Sequence, residues 1–132
     1  MSTVKQTQRR TYYSPDAQSK VRSLSRAVIT DGGKTMWLAG RIASDPKADF
    51  DTQVRDVFAS LDNTIKGAGG SGLQDMVTMT VYTKVGFGDR FVELRKEFFK
   101  DRFPASTLVG VAGFNRPGSL VEVQGVAVIS GE

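Results

Sequence analysis

Between Val54 and Ile65 apolar residues return every three or four positions. Val54, Val57, Phe58, Leu61 and Ile65 share one face of a 3.6-residue period. The spacing predicts an amphipathic helix, with Asp51 as its N-cap and the glycines from Gly67 as its stop. The period then changes. In DMVTMTVYTK (75–84), Val77, Met79 and Val81 alternate with Thr78, Thr80 and Tyr82, the two-residue repeat of a strand. A second amphipathic helix is predicted over 89–103, with Phe91, Leu94 and Phe98 turned inward and Pro104 ending it. Two strands follow, STLVGVAGF (106–114) and SLVEVQGVAVI (119–129), on either side of an Asn115-Arg116-Pro117-Gly118 turn. Upstream, residues 27–43 read as two strands joined into a hairpin by Asp31-Gly32-Gly33, which supplies the positive-φ positions of a tight turn.

The element order is β-β-α-β-α-β-β. Such an order predicts an α+β domain, a mixed sheet covered on one face by two helices. The last strands carry apolar residues on both faces: Val109, Val111, Val126 and Val128 against Leu108, Leu120 and Val121. Two helices cover only one face, so burial against other copies of the chain is the simplest way to hide the second.

Composition narrows the chemistry. The 132 residues fit one domain, read as residues 23–132 behind a solvated tail at 1–22. That tail has no apolar core segment of a secretory signal, and no apolar run approaches the roughly 20 residues that span a bilayer. The expected compartment is the cytoplasm. The net charge is 18 − 14 = +4, and the basic residues are scattered, which does not favour nucleic acid as a partner. There is no cysteine and no histidine. Disulfides, thiolate nucleophiles, Ser-His-Asp triads and thiolate or imidazole metal sites are therefore excluded. What remains is carboxylates, hydroxyls, guanidinium and ammonium groups, backbone amides and bound water. No cofactor and no metal site is expected.

Several positions stand out within this limit. Gly67, Gly69 and Gly72 match G-x-G-x-x-G in form, but they close a helix instead of opening one, so they read as a cap and loop. Most carboxylates (Asp56, Asp62, Glu93, Glu97) fall on polar helix faces. Glu122 differs, since it interrupts an apolar strand and must face solvent, an interface or a cleft. Arg41 follows Gly40 in another apolar strand; an anion site and a snorkelling edge residue both fit it. Ser106 and Thr107 have no neighbouring base to activate them, but they can hydrogen-bond a substrate.

Taken together, these segments resemble the RidA/YjgF family, the reactive intermediate deaminases. SLSRAV with MWLAGRIA resembles the family's Pro-Tyr-Ser-x-Ala-Val and apolar-Ser-Gly-Gln-Ile-Pro segments. The central block from Thr52 to Lys84 resembles its Gln-helix-Ala-Gly-strand region. FPASTLVGVAGF and LVEVQGVAV resemble its Pro-Ala-Arg strand and its closing Val-Glu-Ile strand. The match covers about residues 23–129. It implies a chorismate-mutase-like fold, a homotrimer packed through its sheets, and interface clefts where a small imine or enamine is hydrolysed to release ammonia. Carried over by position, the family's glycine falls at Gly40 and its glutamate at Glu122. Its cleft tyrosine falls at Leu24, its strand glutamine at Arg41, its signature arginine at Ser106, and the cleft residue two places on at Leu108. A strand reading PASTLV resembles divergent subgroups that lack the arginine. The resemblance therefore implies a hydrolase or deaminase of a different imine, enamine or amide-like compound, with weak activity on 2-iminopropanoate. The alternative is a non-catalytic binding trimer, with RNA cleavage third.

Overall fold

A computed structural model describes residues 9–131. Its main sheet contains β3 (Lys34–Ile42), β4 (Met76–Lys84), β5 (Ala105–Val111) and β6 (Val121–Ile129), in the order β3-β6-β4-β5. β6 runs antiparallel to both neighbours, and β4 and β5 are parallel. Helix α2 (Phe50–Gly67) lies on β3 and β6, and α3 (Gly88–Phe99) on β4 and β5. The domain is thus the expected α+β architecture, a mixed sheet with two helices on one face.

The core lies between that face and the helices. The apolar stripe of α2 (Val54, Val57, Phe58 and Ile65) is fully buried, as are Phe91 of α3 and Val81, Val121 and Val123 of the sheet. Phe58 is the centre of an aromatic cluster. Its ring lies 4.8 Å from that of Phe98, 5.6 Å from Phe99 and 5.7 Å from Phe91. Gln53 is also fully buried. Its amide donates to Ala48 O and Gly118 O, and its carbonyl accepts from Leu120 N, so α2 is tied to the loop that leads into β6.

Local boundaries differ from the sequence reading in three places. Asp49, not Asp51, caps α2: its backbone is extended and Oδ1 accepts from Thr52 N at 2.9 Å. Asp51 lies in the first turn and pairs with Arg90 of α3. Helix α3 stops at Phe99, well before Pro104, because Lys100 takes a left-handed φ of 58° and its N–H closes on Lys96 O. The two glycines after Asp31 do take positive φ, 77° and 82°, yet they join no hairpin. β2 (Ala27–Asp31) pairs instead with β1 (Arg9–Tyr13) in a separate two-stranded ribbon, while β3 takes the edge of β6. A tight turn reverses the chain but does not choose the partner of either strand.

β1 and the short helix α1 (Ala17–Val21) occupy part of the segment read as a tail; residues 1–8 lie outside the described residues. Asp16 caps α1 by accepting from Ser19 N at 2.8 Å. Arg10 pins β1 to the main sheet by donating to Val128 O and Gln74 O, with Asp75 at 3.8 Å.

Candidate functional site

Strand alternation divides the candidate residues between the two faces of the sheet. Tyr82 pairs with Glu122 and Val109, Thr80 with Gln124 and Thr107, and Val126 with Trp37 and Thr78. Paired residues share a face, and these point away from the helices. Trp37 is 80 % exposed there. The neighbouring pairs, Met79–Ser106 and Val81–Leu108, point toward α2 and α3, where Met79 and Val81 are core residues. Glu122 and Thr107 therefore lie on the open face, and Ser106 and Leu108 on the helix-covered one.

On the open face a bulge shapes the surroundings of Glu122. β3 pairs Leu38 with Gly125 but Arg41 with Val123, so Ala39 and Gly40 together stand opposite Gln124. Gly40 lies under the Glu122 carboxylate, and a β-carbon added there would collide with Oε2 and come within 3.3 Å of Cδ. Glu122, Gln124, Tyr82, Val111, Phe114 and Asn115 line a hollow of about 300 Å³. Among the described residues, no hydrogen bond or ion pair engages the Glu122 carboxylate. A carboxylate held over backbone and left without a partner can accept a hydrogen bond from water.

Arg41 does not join this group. Its pairing with Val123, a core residue, places it at the exposed end of edge strand β3 on the helix side of the sheet. Leu24 is half-buried and lines a smaller hollow of about 180 Å³ with Asp16, Gln18, Ser19, Arg22 and Arg26. Its neighbour Ser25 bridges to Ala105, so this hollow sits at the Ser106 end of β5. The structure thus gathers Gly40, Glu122 and Thr107 on one side, and Leu24, Ser106 and Leu108 on the other.

Arg95 was missed by the sequence reading. It is 1 % exposed, the largest fully buried side chain. Its Nη1 donates to Ser106 Oγ at 2.5 Å and to Met79 Sδ at 3.8 Å, its Nε to Ser23 Oγ at 3.1 Å, and its Nη2 to Arg22 O at 2.9 Å. The guanidinium also lies 5.2 Å from the centre of the Phe91 ring. Among the described residues no carboxylate pairs with it. Burial, with the charge of Arg22 adding to it, lowers its pKa to about 10, so it remains a cation at neutral pH. Ser23, beneath it, is held at φ 53° with its hydroxyl on Val92 O. The signal lay in the helix pattern. Arg95 falls four places after Phe91, on the apolar face, where a solvating arginine has no place.

Among the described residues, no helix is long and apolar enough to cross a membrane and no cluster of acidic side chains is suited to a metal. Residues 15–129 match the family model described as Endoribonuclease L-PSP. Protein DfrA of Myxococcus xanthus is 30% identical over 127 residues, which cover 91% of this chain and 95% of that one. A human 2-iminobutanoate/2-iminopropanoate deaminase is 24% identical over 126 residues, 91% of this chain and 90% of its own. Among solved structures, a Yersinia pestis protein of unknown function from the conserved Rid protein family superposes with a TM-score of 0.79 at 23% identity, covering 91% of this chain and 98% of that one. A Mycobacterium tuberculosis member of the YjgF/YER057c/UK114 family gives 0.65 at 28% identity, covering 92% and 100%. The family match over nearly the whole domain, and the shared fold, mean that this chain belongs to the Rid (RidA/YjgF) family.

Proposed function

We propose that the chain is a hydrolase or deaminase of a small imine, enamine or amide-like metabolite, with Glu122 as the base that positions water. The observation that carries this reading is the unpartnered Glu122 carboxylate seated over Gly40 at the edge of a hollow. Water bound to Glu122 would give up a proton to the carboxylate as its oxygen joins the imine carbon. Glu122 would return that proton to nitrogen. The hydroxyl of the resulting carbinolamine would then pass its own proton, through Glu122, to the nitrogen as the C–N bond breaks, releasing ammonia and leaving a carbonyl. Such chemistry needs positioning and a placed base more than any strong nucleophile.

A cleft between copies of the chain completes the site in this reading. Ser106 and Glu122 lie on opposite faces of one sheet, so a substrate touching both needs a second copy to bring its own sheet alongside. A homotrimer that sets the open face of one copy beside the β5 edge of the next would supply this and would cover Trp37 and Val109, which are 80 % and 38 % exposed in the single chain. Thr107 would contribute a hydroxyl from the open face, and Gly40 the backbone. Leu24 and Leu108 would be apolar wall. Arg41 stands apart at the strand edge.

Glu122→Gln tests the reading. Ammonia release from a panel of freshly generated imines and cyclic amides should fall by about 10² or more in kcat, with ligand binding kept. Turnover on 2-iminopropanoate should be weak, because a neutral serine stands at position 106. Wild-type protein that binds but never turns over any of the panel would favour the second reading, a non-catalytic binding trimer. The endoribonuclease in the matched model's description ranks third, since the chain has no histidine; it would be supported by cleavage of labelled RNA that Glu122→Gln abolishes.

A further inference from the structure

We infer that the hollow beside α1 is a binding site for a small carboxylate, which Arg22 and Arg26 hold between them. The site goes beyond the chemistry proposed at Glu122, which lies on the open face of the sheet. Leu24 lines this hollow and is also wall in the proposed cleft, but both arginines belong to a single chain, so the site stands without that cleft.

The hollow measures about 180 Å³ and is lined by Asp16, Gln18, Ser19, Arg22, Leu24 and Arg26. Its two arginines are only partly answered by protein carboxylates. Arg22 donates from Nη1 to Asp89 at 2.8 Å, and Arg26 from Nε to Asp16 at 3.1 Å. Among the described residues neither guanidinium has another partner. Arg22 thus keeps its Nε–Nη2 edge and Arg26 its two Nη groups. Each is a two-donor edge of the kind that grips a carboxylate. Asp89 is 93 % exposed, so its hold on Arg22 is weak and a competing anion displaces it readily. Asp16 is committed to the chain. Its Oδ1 accepts from Ser19 N and Ser19 Oγ, and these bonds, with Arg26, keep its pKa below the usual carboxylate range.

Arg95 sets the charge balance. Its Nη2 donates to Arg22 O at 2.9 Å, which puts a buried cation directly behind the Arg22 backbone. The charge of Arg22 helps to lower the Arg95 pKa, so the two guanidiniums feel each other. Among the described residues no carboxylate pairs with Arg95. Arg22, Arg26 and Arg95 therefore stand against Asp16 and Asp89 alone, an excess of one positive charge. One negative charge balances it. A carboxylate supplies that charge on a planar pair of oxygens that matches an arginine edge. A phosphate carries more charge and would overshoot the balance beside Asp16.

Pyruvate, its neutral match pyruvamide, and inorganic phosphate are the probes. Binding of each to the full-length protein is measured by isothermal titration calorimetry, independently of turnover. Pyruvate should bind about tenfold more tightly than pyruvamide, and added salt should weaken it. Arg22→Gln and Arg26→Gln should each weaken pyruvate by about tenfold. Both side chains reach solvent, so these variants should fold; circular dichroism checks this. Asp89→Asn removes a competing carboxylate and should tighten pyruvate, an effect that a merely structural role for Arg22 would not produce. The inference is overturned if pyruvamide binds as tightly as pyruvate, if neither binds, or if phosphate binds more tightly than pyruvate. It is also overturned if the double variant Arg22→Gln/Arg26→Gln binds pyruvate as wild type does. Failure of Glu122→Gln to alter turnover would count against the proposed chemistry and leave this binding test standing.

Discussion

At the scale of single residues, the absence of a side chain at Gly40 matters as much as the carboxylate at Glu122. Gly40 has no positive φ, so nothing in its backbone requires glycine; what requires it is the space taken by Glu122. A methyl group there would push aside the far end of a flexible side chain, a change that costs little in stability. Gly40→Ala should therefore fold with an unchanged melting temperature and lose about 10²-fold in kcat, because a displaced base costs rate steeply. Full activity in that variant would show that the carboxylate does not work from its position over Gly40. Glu122 itself was legible in the sequence as a charge inside an apolar strand. Arg95 is equally odd, a charge on the apolar face of α3, but Glu93, Lys96 and Glu97 surround it in the sequence and mask it. The pattern marks the face a side chain occupies; only packing shows that Ser106 and Ser23 wait there to receive it.

At the scale of elements, α2 and α3 are held by aromatic packing between their facing stripes and by ion pairs outside it. Phe58 touches three rings of α3 and is fully buried. Phe58→Ala should cost about 3–5 kcal/mol, read as a lower urea midpoint with a similar slope. A loss under 1 kcal/mol would mean that the helices do not pack through this cluster. Across the solvent side, Asp51–Arg90 and Arg55–Glu97 join the same helices at exposed positions where pairing contributes little. The helices and the alternating strand β4 were legible because each repeats one period over many residues. Their ends were not. The cap moved to Asp49 and the stop to Lys100, since the end of a helix depends on one residue's backbone angle and one hydrogen bond, not on a repeated pattern.

At the scale of the whole molecule, the open face of the sheet is the unfinished part. It carries Trp37, Thr78, Thr80, Tyr82, Gln124 and Val126, with the tryptophan mostly exposed. If copies pack through this face, light scattering after gel filtration should give three times the chain mass. Trp37→Asp should then shift the protein toward monomer and lower turnover with it, because the copies that bring Ser106 to Glu122 would part. A wild-type monomer with full activity would sink the interface cleft. Such a face is partly legible in sequence as apolar residues on both sides of the last strands. Which face the helices take is decided by register, and a shift of one residue would exchange every member of the site.

The sequence by itself determined the class of the domain, its two helices, the family it belongs to and the chemistry it can use. The class, the helices and the chemistry follow from local periodicity, from the order of elements along the chain and from the absence of histidine and cysteine; the family follows from the resemblance of its motifs. Only the tertiary structure decided that β2 pairs with β1 and not β3, that Arg41 stands apart from Glu122, and that Arg95 lies behind Ser106. These are contacts between residues far apart in the chain. Local pattern specifies which side of an element is apolar, but the partner that meets it is chosen by competition among all the surfaces the chain can bury.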